Sequence, residues 1–340
     1  MKKSVSLKDI ANQLGVSTSL VSYVLNGHAK KKRVSDGIAK KIFSTAERLN
    51  YRPNQIAKSL KTKKTQTIGL IVQEIHYRYT TGITRAIETQ AKKSHYTVII
   101  GNSHEDLSTL KELIHVLINR QVDGLIIVAA ENAEAEIEYI KKQEIPFVLI
   151  DRNFPSVETN FIGIDNFRIA YQAVQYLLAR KYKNIAFINY NTSFFHLQER
   201  NRGYNQALKD AGLPVKRSLH KEIRKKHYEQ DVNKAMAELT SGKPACDAIF
   251  FATDTLAVSG LRNLIQRKIK IPKDISVLSF DESDAFALSE CPITYFRQPL
   301  EAIGAAAVNL LFEVMNGKGE CQQVYLESTL VKGRSCGEPE

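Results

Sequence analysis

Residues 7–25 read LKDIANQLGVSTSLVSYVL, and their spacing predicts two short helices joined by a tight turn. Leu7, Ile10, Ala11 and Leu14 recur at helical intervals, and Gly15 follows, the residue for which a left-handed turn carries no steric penalty. Ser17 is suited to cap a second helix whose apolar face is Val21, Val24 and Leu25. A small Ala11, a turn at Gly15 and a buried Val21 meet the demands of a helix-turn-helix: close approach, sharp reversal, one shared contact. Thr18, Ser19, Ser22 and Tyr23 are left on the outer face. The plainer alternative is a small bundle with a solvated face.

Charge weighs against that alternative. The first 64 residues hold fifteen Lys and Arg against three Asp and Glu, so they carry the whole formal net charge of +12, and the remainder is balanced. Lys30, Lys31, Lys32 and Arg33 follow the two helices directly, and Lys40 and Lys41 begin a third, expected over Ser35–Leu49 with Ile38, Ile42, Phe43, Ala46 and Leu49 on one face. A small basic module on a neutral body implies a polyanion partner, and beside a helix-turn-helix that partner is duplex DNA.

Other classes lose ground on composition. The basic start is not followed by an apolar run, which speaks against a secretory signal, and no apolar stretch is long enough to span a membrane. Cys246, Cys291, Cys321 and Cys336 are widely spaced, and the histidines show no metal-ligand spacing. A cytoplasmic protein with no metal and no cofactor is expected. From Thr67 onward, apolar runs at 68–72, 97–101, 124–129, 147–151, 184–189, 248–252 and 275–280 alternate with amphipathic stretches near 84–93, 107–119, 133–143, 168–180, 202–211, 232–240 and 257–268. This is the rhythm of parallel, doubly wound α/β sheets, and seven strands suggest two lobes. Ligands of such sheets sit beyond the carboxyl ends of the strands, where Gln73, Glu74, Asn102, Ser103, Asp151, Arg152, Tyr190, Asn191, Thr253 and Asp254 fall. No GxGxxG, Walker, GxSxG or HExxH motif supports an enzyme; an exported sugar-binding protein would have no use for the basic module.

With VSLKDIANQLGVS, VSYVLNG, LNYRPNQIAKSLKTKKTQTIGLIV, ERNRGYNQAL, FATDTLAVSG and SVLSFDES in this order, the chain resembles the lactose-repressor (LacI-type) family of transcription regulators along nearly its whole length. The resemblance implies a DNA-binding domain over 1–52, a hinge helix and linker over 53–64, and a two-lobed, periplasmic-binding-protein-like core over 65–340. Lobe 1 would comprise about 65–164 and 293–325, and lobe 2 about 165–292 and 326–340, with chain crossings near 164, 293 and 325. It further implies that Ser17, Thr18, Ser19, Ser22, Tyr23 and Asn26 of the recognition helix meet a near-palindromic operator, with Lys31, Lys32 and Arg33 beside them. The hinge, about Asn54–Lys61, would add Asn54, Ala57, Lys58 and Lys61 and push Leu60 into the minor groove as a wedge. Arg200, in the R-x-x-G-Y element with Gly203 and Tyr204, and Asp254 match effector-binding positions; Asp151, Arg152, Tyr79 or Tyr77, and His227 are further candidates. An Arg fork and an Asp acceptor pair suit the vicinal hydroxyls of a sugar.

What the resemblance implies overall is a repressor working as a homodimer, with apolar positions in Ile83–Ile87 and Leu107–Leu117 as candidate interface residues. The departures are local. Leu20 and Tyr23 stand where the family usually has Thr and Arg, the HAKKKRVSD loop is about three residues longer, and Gln73-Glu74 and Tyr77-Arg78-Tyr79-Thr80 replace Pro-Asp and Asn-Pro-Phe-Phe. Operator sequence and effector identity therefore do not transfer from relatives.

Overall fold

The computed structural model describes residues 5–52, 64–241, 246–317 and 321–337. The chain divides into two compact units, Met1–Thr65 and Gln66–Glu340.

In the first unit, Ser6 opens α1 (Leu7–Leu14) with a reciprocal capping box: the Asp9 N–H donates to Ser6 Oγ and the Ser6 N–H to the Asp9 carboxylate. Gly15 ends the helix at φ 63°, the left-handed region where a side chain would be strained. Ser17 caps α2 (Thr18–Leu25) by accepting from the Leu20 N–H at 3.2 Å. Ile10, Ala11, Val21 and Val24 pack with Ile42 and Ala46 of α3 (Asp36–Arg48). In so small a core, trimming Ile10 to Ala would cost about 2–5 kcal/mol. The expected face of α3 is partly wrong: Phe43 is 50% exposed and Ile38 39%. The buried arc runs through Ile42, Thr45 and Ala46, and position 43 is rotated about 100° from position 42.

The second unit begins with β1 (Thr67–Val72), α4 (Arg78–Lys93), β2 (Thr97–Asn102), α5 (Leu107–Asn119), β3 (Gly124–Ile127), α6 (Glu134–Lys142), β4 (Phe147–Ile150) and β5 (Phe161–Ile164). It continues through α7 (Asn166–Leu178), β6 (Ile185–Tyr190), α8 (Phe195–Asp210), β7 (His220–Ile223), α9 (Tyr228–Ser241), β8 (Ala248–Phe251), α10 (Asp254–Gln266), β9 (Ser276–Ser279) and β10 (Thr294–Arg297). Last come α11 (Leu300–Met315), β11 (Gln323–Leu326) and β12 (Thr329–Val331). Two six-stranded sheets result, ordered β11-β5-β4-β3-β1-β2 and β12-β10-β9-β8-β6-β7. Pairings are parallel except β10 with β12. In each sheet the first strand lies between the second and the third, so each has a switch point, and clefts open at the carboxyl ends there.

The chain passes between sheets after β5, between β10 and α11, and between β11 and β12. The second passage falls near 298, later than the expected 293, because Thr294 and Tyr295 pair with β9 and so hold β10 in the second sheet. Helix α11 then packs against α4 so closely that a Cβ at Gly304 would meet the Ala86 Cβ at 2.5 Å. Ile83 and Ile87, and Leu110, Ile114 and Leu117, are buried in the core of their own lobe and are not free for an interface. The apolar residues left exposed there are Ile99 and Ile100 on the edge strand β2 and Val116 on α5. Among the described residues no helix is long and apolar enough to cross a membrane.

Candidate functional site

Two regions collect the chemistry, and they do so differently. On the first unit, Thr18, Ser19 and Tyr23 are exposed along α2, while Ser22 is half-buried. Two of the expected DNA contacts already have structural work. Ser17 Oγ is occupied as the N-cap, and Asn26 turns back on the end of the helix, its Nδ2 donating to Ser22 O (2.8 Å) and Oγ (3.2 Å). The basic loop is folded back on itself: the His28 N–H bonds Tyr23 O at 2.8 Å, the Val34 N–H bonds Ala29 O at 2.9 Å, and Arg33 sits at φ 53°. That fold exposes Lys31, Lys32 and Arg33 and holds Lys32 Nζ 5.2 Å from the centroid of the Tyr23 ring. Asn54, Ala57, Lys58, Leu60 and Lys61 lie outside the described residues.

In the second unit a cavity of about 160 Å³ lies where both sheets present their strand ends. Arg200, Asp254, Asp151, Arg152, Tyr79 and Tyr77 all line it. His227 does not: it is exposed on the single turn at 225–227, and Lys225, at the start of that turn, faces the cavity instead.

Each side chain is held by the element that carries it. Arg200, inside α8, donates Nε to Asn166 Oδ1 (2.9 Å) and Nη1 to Ala252 O (2.5 Å), lies 3.4 Å from Asp281 Oδ2, and stacks on the Phe280 ring. Burial lowers its pKa, against the opposing pull of Asp281 and Asp151. Arg152 directly follows a one-residue turn: Asp151 takes φ 66°, and the Arg152 N–H closes on Ile150 O at 2.7 Å. Such a turn is strained for a residue with a side chain, and strain of this kind concentrates at functional sites. The Arg152 guanidinium forks onto Glu105, both bonds 3.0 Å, and lies over the Phe194 ring of the other lobe.

Several contacts bridge the lobes. Lys225 Nζ reaches Glu105 at 2.5 Å, Glu131 accepts from Thr192 Oγ1 at 2.6 Å and from Ser193, and Arg78 pairs with Glu282 at 3.1 Å and with Asp284. Burial alone would raise Glu105, but Arg152 and Lys225 outweigh it and hold the carboxyl down at about 2. Asp151 and Asp254 go the other way. Burial pushes both up to about 6, reinforced by Asp281 in each case and only partly opposed by Arg152 and Arg200 at Asp151 and by Thr255 and Arg200 at Asp254. His196 is driven well below its ordinary value by burial and by Arg200 and Arg152, so its ring is neutral at pH 7.

Four buried polar atoms around this cavity have no hydrogen-bond partner among the described residues: Gln73 Oε1, Tyr79 OH, Arg152 Nε and His196 Nδ1. Native interiors satisfy nearly all such atoms, so a group of them on one cavity points to a polar molecule that supplies their partners. Sequence reasoning missed Glu105, Glu131, His196, Lys225 and Asp281. Asp281 follows the seventh expected strand directly, so the strand-end rule that singled out Asp151 and Asp254 could have found it. Among the described residues no His, Cys, Asp and Glu group is placed to hold a metal.

Residues 6–54 match the family described as bacterial regulatory proteins, lacI family, and residues 174–336 match a periplasmic binding protein-like domain. Catabolite control protein A of Priestia megaterium is 31% identical over 315 residues, covering 92% of this chain and 93% of that protein. The solved lac repressor dimer bound to operator and the anti-inducer ONPF aligns with a TM-score of 0.86 at 22% identity, over 98% of this chain and 99% of that one. A transcriptional regulator CelR-cellobiose complex aligns at 0.73 and 24% identity, over 97% and 99%. At these identities the two structures share a fold with this chain.

Proposed function

The chain belongs to the lacI family of bacterial regulatory proteins, and from that premise we propose that it is a repressor whose operator affinity is set by a small sugar-like molecule held between its lobes. It is a transcription regulator with a DNA-binding unit and a ligand-binding core. The observation carrying the finer reading is the convergence of unpartnered buried polar atoms from both lobes, Gln73, Tyr79 and Arg152 from one and His196 from the other, on the cavity that Arg200 and Asp254 also line.

Arg200 is immobilised through Nε and Nη1, and its Nη2 makes no hydrogen bond with the described residues. That edge donates to a ligand hydroxyl while Asp254 accepts from a neighbouring one. Asp151, Arg152 and Tyr79 contribute from the opposite lobe. Because the ligand touches both lobes, it favours one lobe angle over another, and its differential affinity for the two states is the free energy available to change operator binding. The cellobiose in the CelR complex fits the same class of ligand.

The protein acts in the cytoplasm as a homodimer on a near-palindromic operator, because one helix-turn-helix reads too few base pairs alone. Ile99 and Ile100 on the edge strand β2, with Val116 on α5, the next element along the chain, supply apolar surface for that pairing. Thr18, Ser19 and Tyr23 read base edges, and Lys31, Lys32 and Arg33 bind phosphates.

A thermal-shift screen of the intact protein against sugars tests this reading. A ligand at a hundred times its Kd adds about 2.7 kcal/mol, a shift of several degrees. The same ligand is expected to bind an Arg200→Ala variant at least tenfold more weakly in calorimetry, with operator binding by the unliganded protein kept. Equal affinity for both proteins would remove Arg200 from the site.

A further inference from the structure

The cavity between the lobes is richer in acceptors and negative charge than a neutral polyol requires. Six carboxylates line it, Glu105, Glu131, Asp151, Asp254, Asp281 and Glu282, against four cationic side chains. Each of those cations already has a carboxylate of the protein within 3.5 Å: Arg152 and Lys225 share Glu105, Arg200 meets Asp281, and Arg78 meets Glu282. Asp254 has no ion pair among the described residues, and the only one for Asp151 is the Arg152 Nε contact at 3.8 Å.

The unpartnered atoms divide: Gln73 Oε1 is an acceptor, Arg152 Nε is a donor that suits a hydroxyl oxygen, and Tyr79 OH and His196 Nδ1 serve either way. Gln73 is 4% exposed, and its carbonyl Oε1, an acceptor, meets no donor among the described residues. Aromatic rings complete the surroundings: Tyr77, Tyr79 and Tyr190 line the cavity, and Asp254 is close enough to Tyr77 and Tyr190 that its charge helps keep both phenols protonated. Carboxylates, an acceptor carbonyl and aromatic side chains together suit an ammonium group, which offers three donors, no acceptor and a charge that aromatic rings attract. A phosphate or carboxylate would meet a surplus of like charge and no unpaired cation.

We propose that the effector is a small amino-bearing polyol, whose protonated amine lies against Asp254 between Tyr77 and Tyr190 and whose hydroxyls take the remaining polar atoms. The assignment rests on the reading of this cavity as the effector site and adds the sign of the ligand's charge. It also gives the two high carboxyl pKa values a use: a cation entering the cavity favours the ionised forms that burial opposes.

Calorimetry on the intact protein at pH 7, with matched sets of hexoses, hexosamines and hexose 6-phosphates, tests the charge assignment. A hexosamine is expected to bind at least tenfold more tightly than its parent hexose, with the phosphates not detectably bound. An Asp254→Asn variant, near-isosteric and uncharged, is expected to bring the amine-to-hexose ratio below about twofold. Equal binding of a hexose and its hexosamine, tighter binding of a phosphate, or an undiminished ratio in Asp254→Asn would each overturn the ammonium assignment while leaving a polyol site standing. Silence of all three sets would remove the polyol site and the proposal with it.

Discussion

The basic unit and the cleft both concentrate charge, but the first leaves it exposed and unpaired while the second pairs it and buries Arg152 and Arg200. Among the described residues Lys30, Lys31, Lys32 and Arg33 make no ion pair, whereas every cationic side chain lining the cleft makes one. The difference separates two uses of charge. Exposed cations contribute little to the fold and are free to displace counterions from a polyanion. Buried ones fix geometry, discriminate between ligands and oppose folding wherever they lack a partner.

Salt should divide the two regions most sharply. Between 50 and 200 mM salt, operator affinity is expected to fall by about 10³-fold or more, as for a protein with six or more phosphate contacts. Affinity for the cleft's ligand should change less than about threefold, because buried pairs are weakly screened. Parallel salt dependences in fluorescence anisotropy and calorimetry would abolish the distinction.

Next in size is the cost of unpairing. Arg152→Ala leaves Glu105 buried with Lys225 alone and is expected to destabilise the core by about 3–5 kcal/mol in urea unfolding. A cost under about 1 kcal/mol would mean that this pair does not organise the cleft.

Asp254→Asn should do the reverse and stabilise the ligand-free protein by about 1–3 kcal/mol at pH 7.5. The sign follows from linkage. With a folded pKa of about 6 against an ordinary value near 4, the folded state binds more protons than the unfolded one between those values. Stability from this group is therefore lost as pH rises from about 4 through about 6. Asp151 contributes in the same direction, and Glu105, held at about 2, in the opposite one at lower pH. Denaturation midpoints of the wild type and Asp254→Asn should therefore diverge as pH rises from 5 to 7.5, and constant spacing would contradict the account. Smallest is Lys31→Ala: stability within about 0.5 kcal/mol, with the salt slope for DNA shallower by about one.

Legibility in the sequence followed the same division. Ala11, Gly15 and Val21 declared the helix-turn-helix because local sterics decide it, and seven strands declared themselves as apolar runs, whereas the internal strands β5, interrupted by Gly163, and β10, with Thr294 and Arg297 at its ends, did not. Strand β7 was missed because it is a half-exposed edge, and α11 because it is apolar over most of its circumference and carries no amphipathic period. In the cleft, Asp151 and Asp254 were legible because strand ends mark it. Glu105 and Lys225 were not: they lie on loops distant in sequence, and only the fold brings their charges to 2.5 Å. His227 was chosen over Lys225 because the sequence does not say which residue of a single turn faces inward.

Most direct is a measurement of whether the two regions communicate. Operator-bound intact protein, titrated with the hexosamine or hexose that binds best in calorimetry, should show operator affinity shifting at least fivefold, and ligand affinity shifting by the same factor when operator is present, as reciprocity requires. Saturating ligand that leaves operator affinity unchanged would contradict the account.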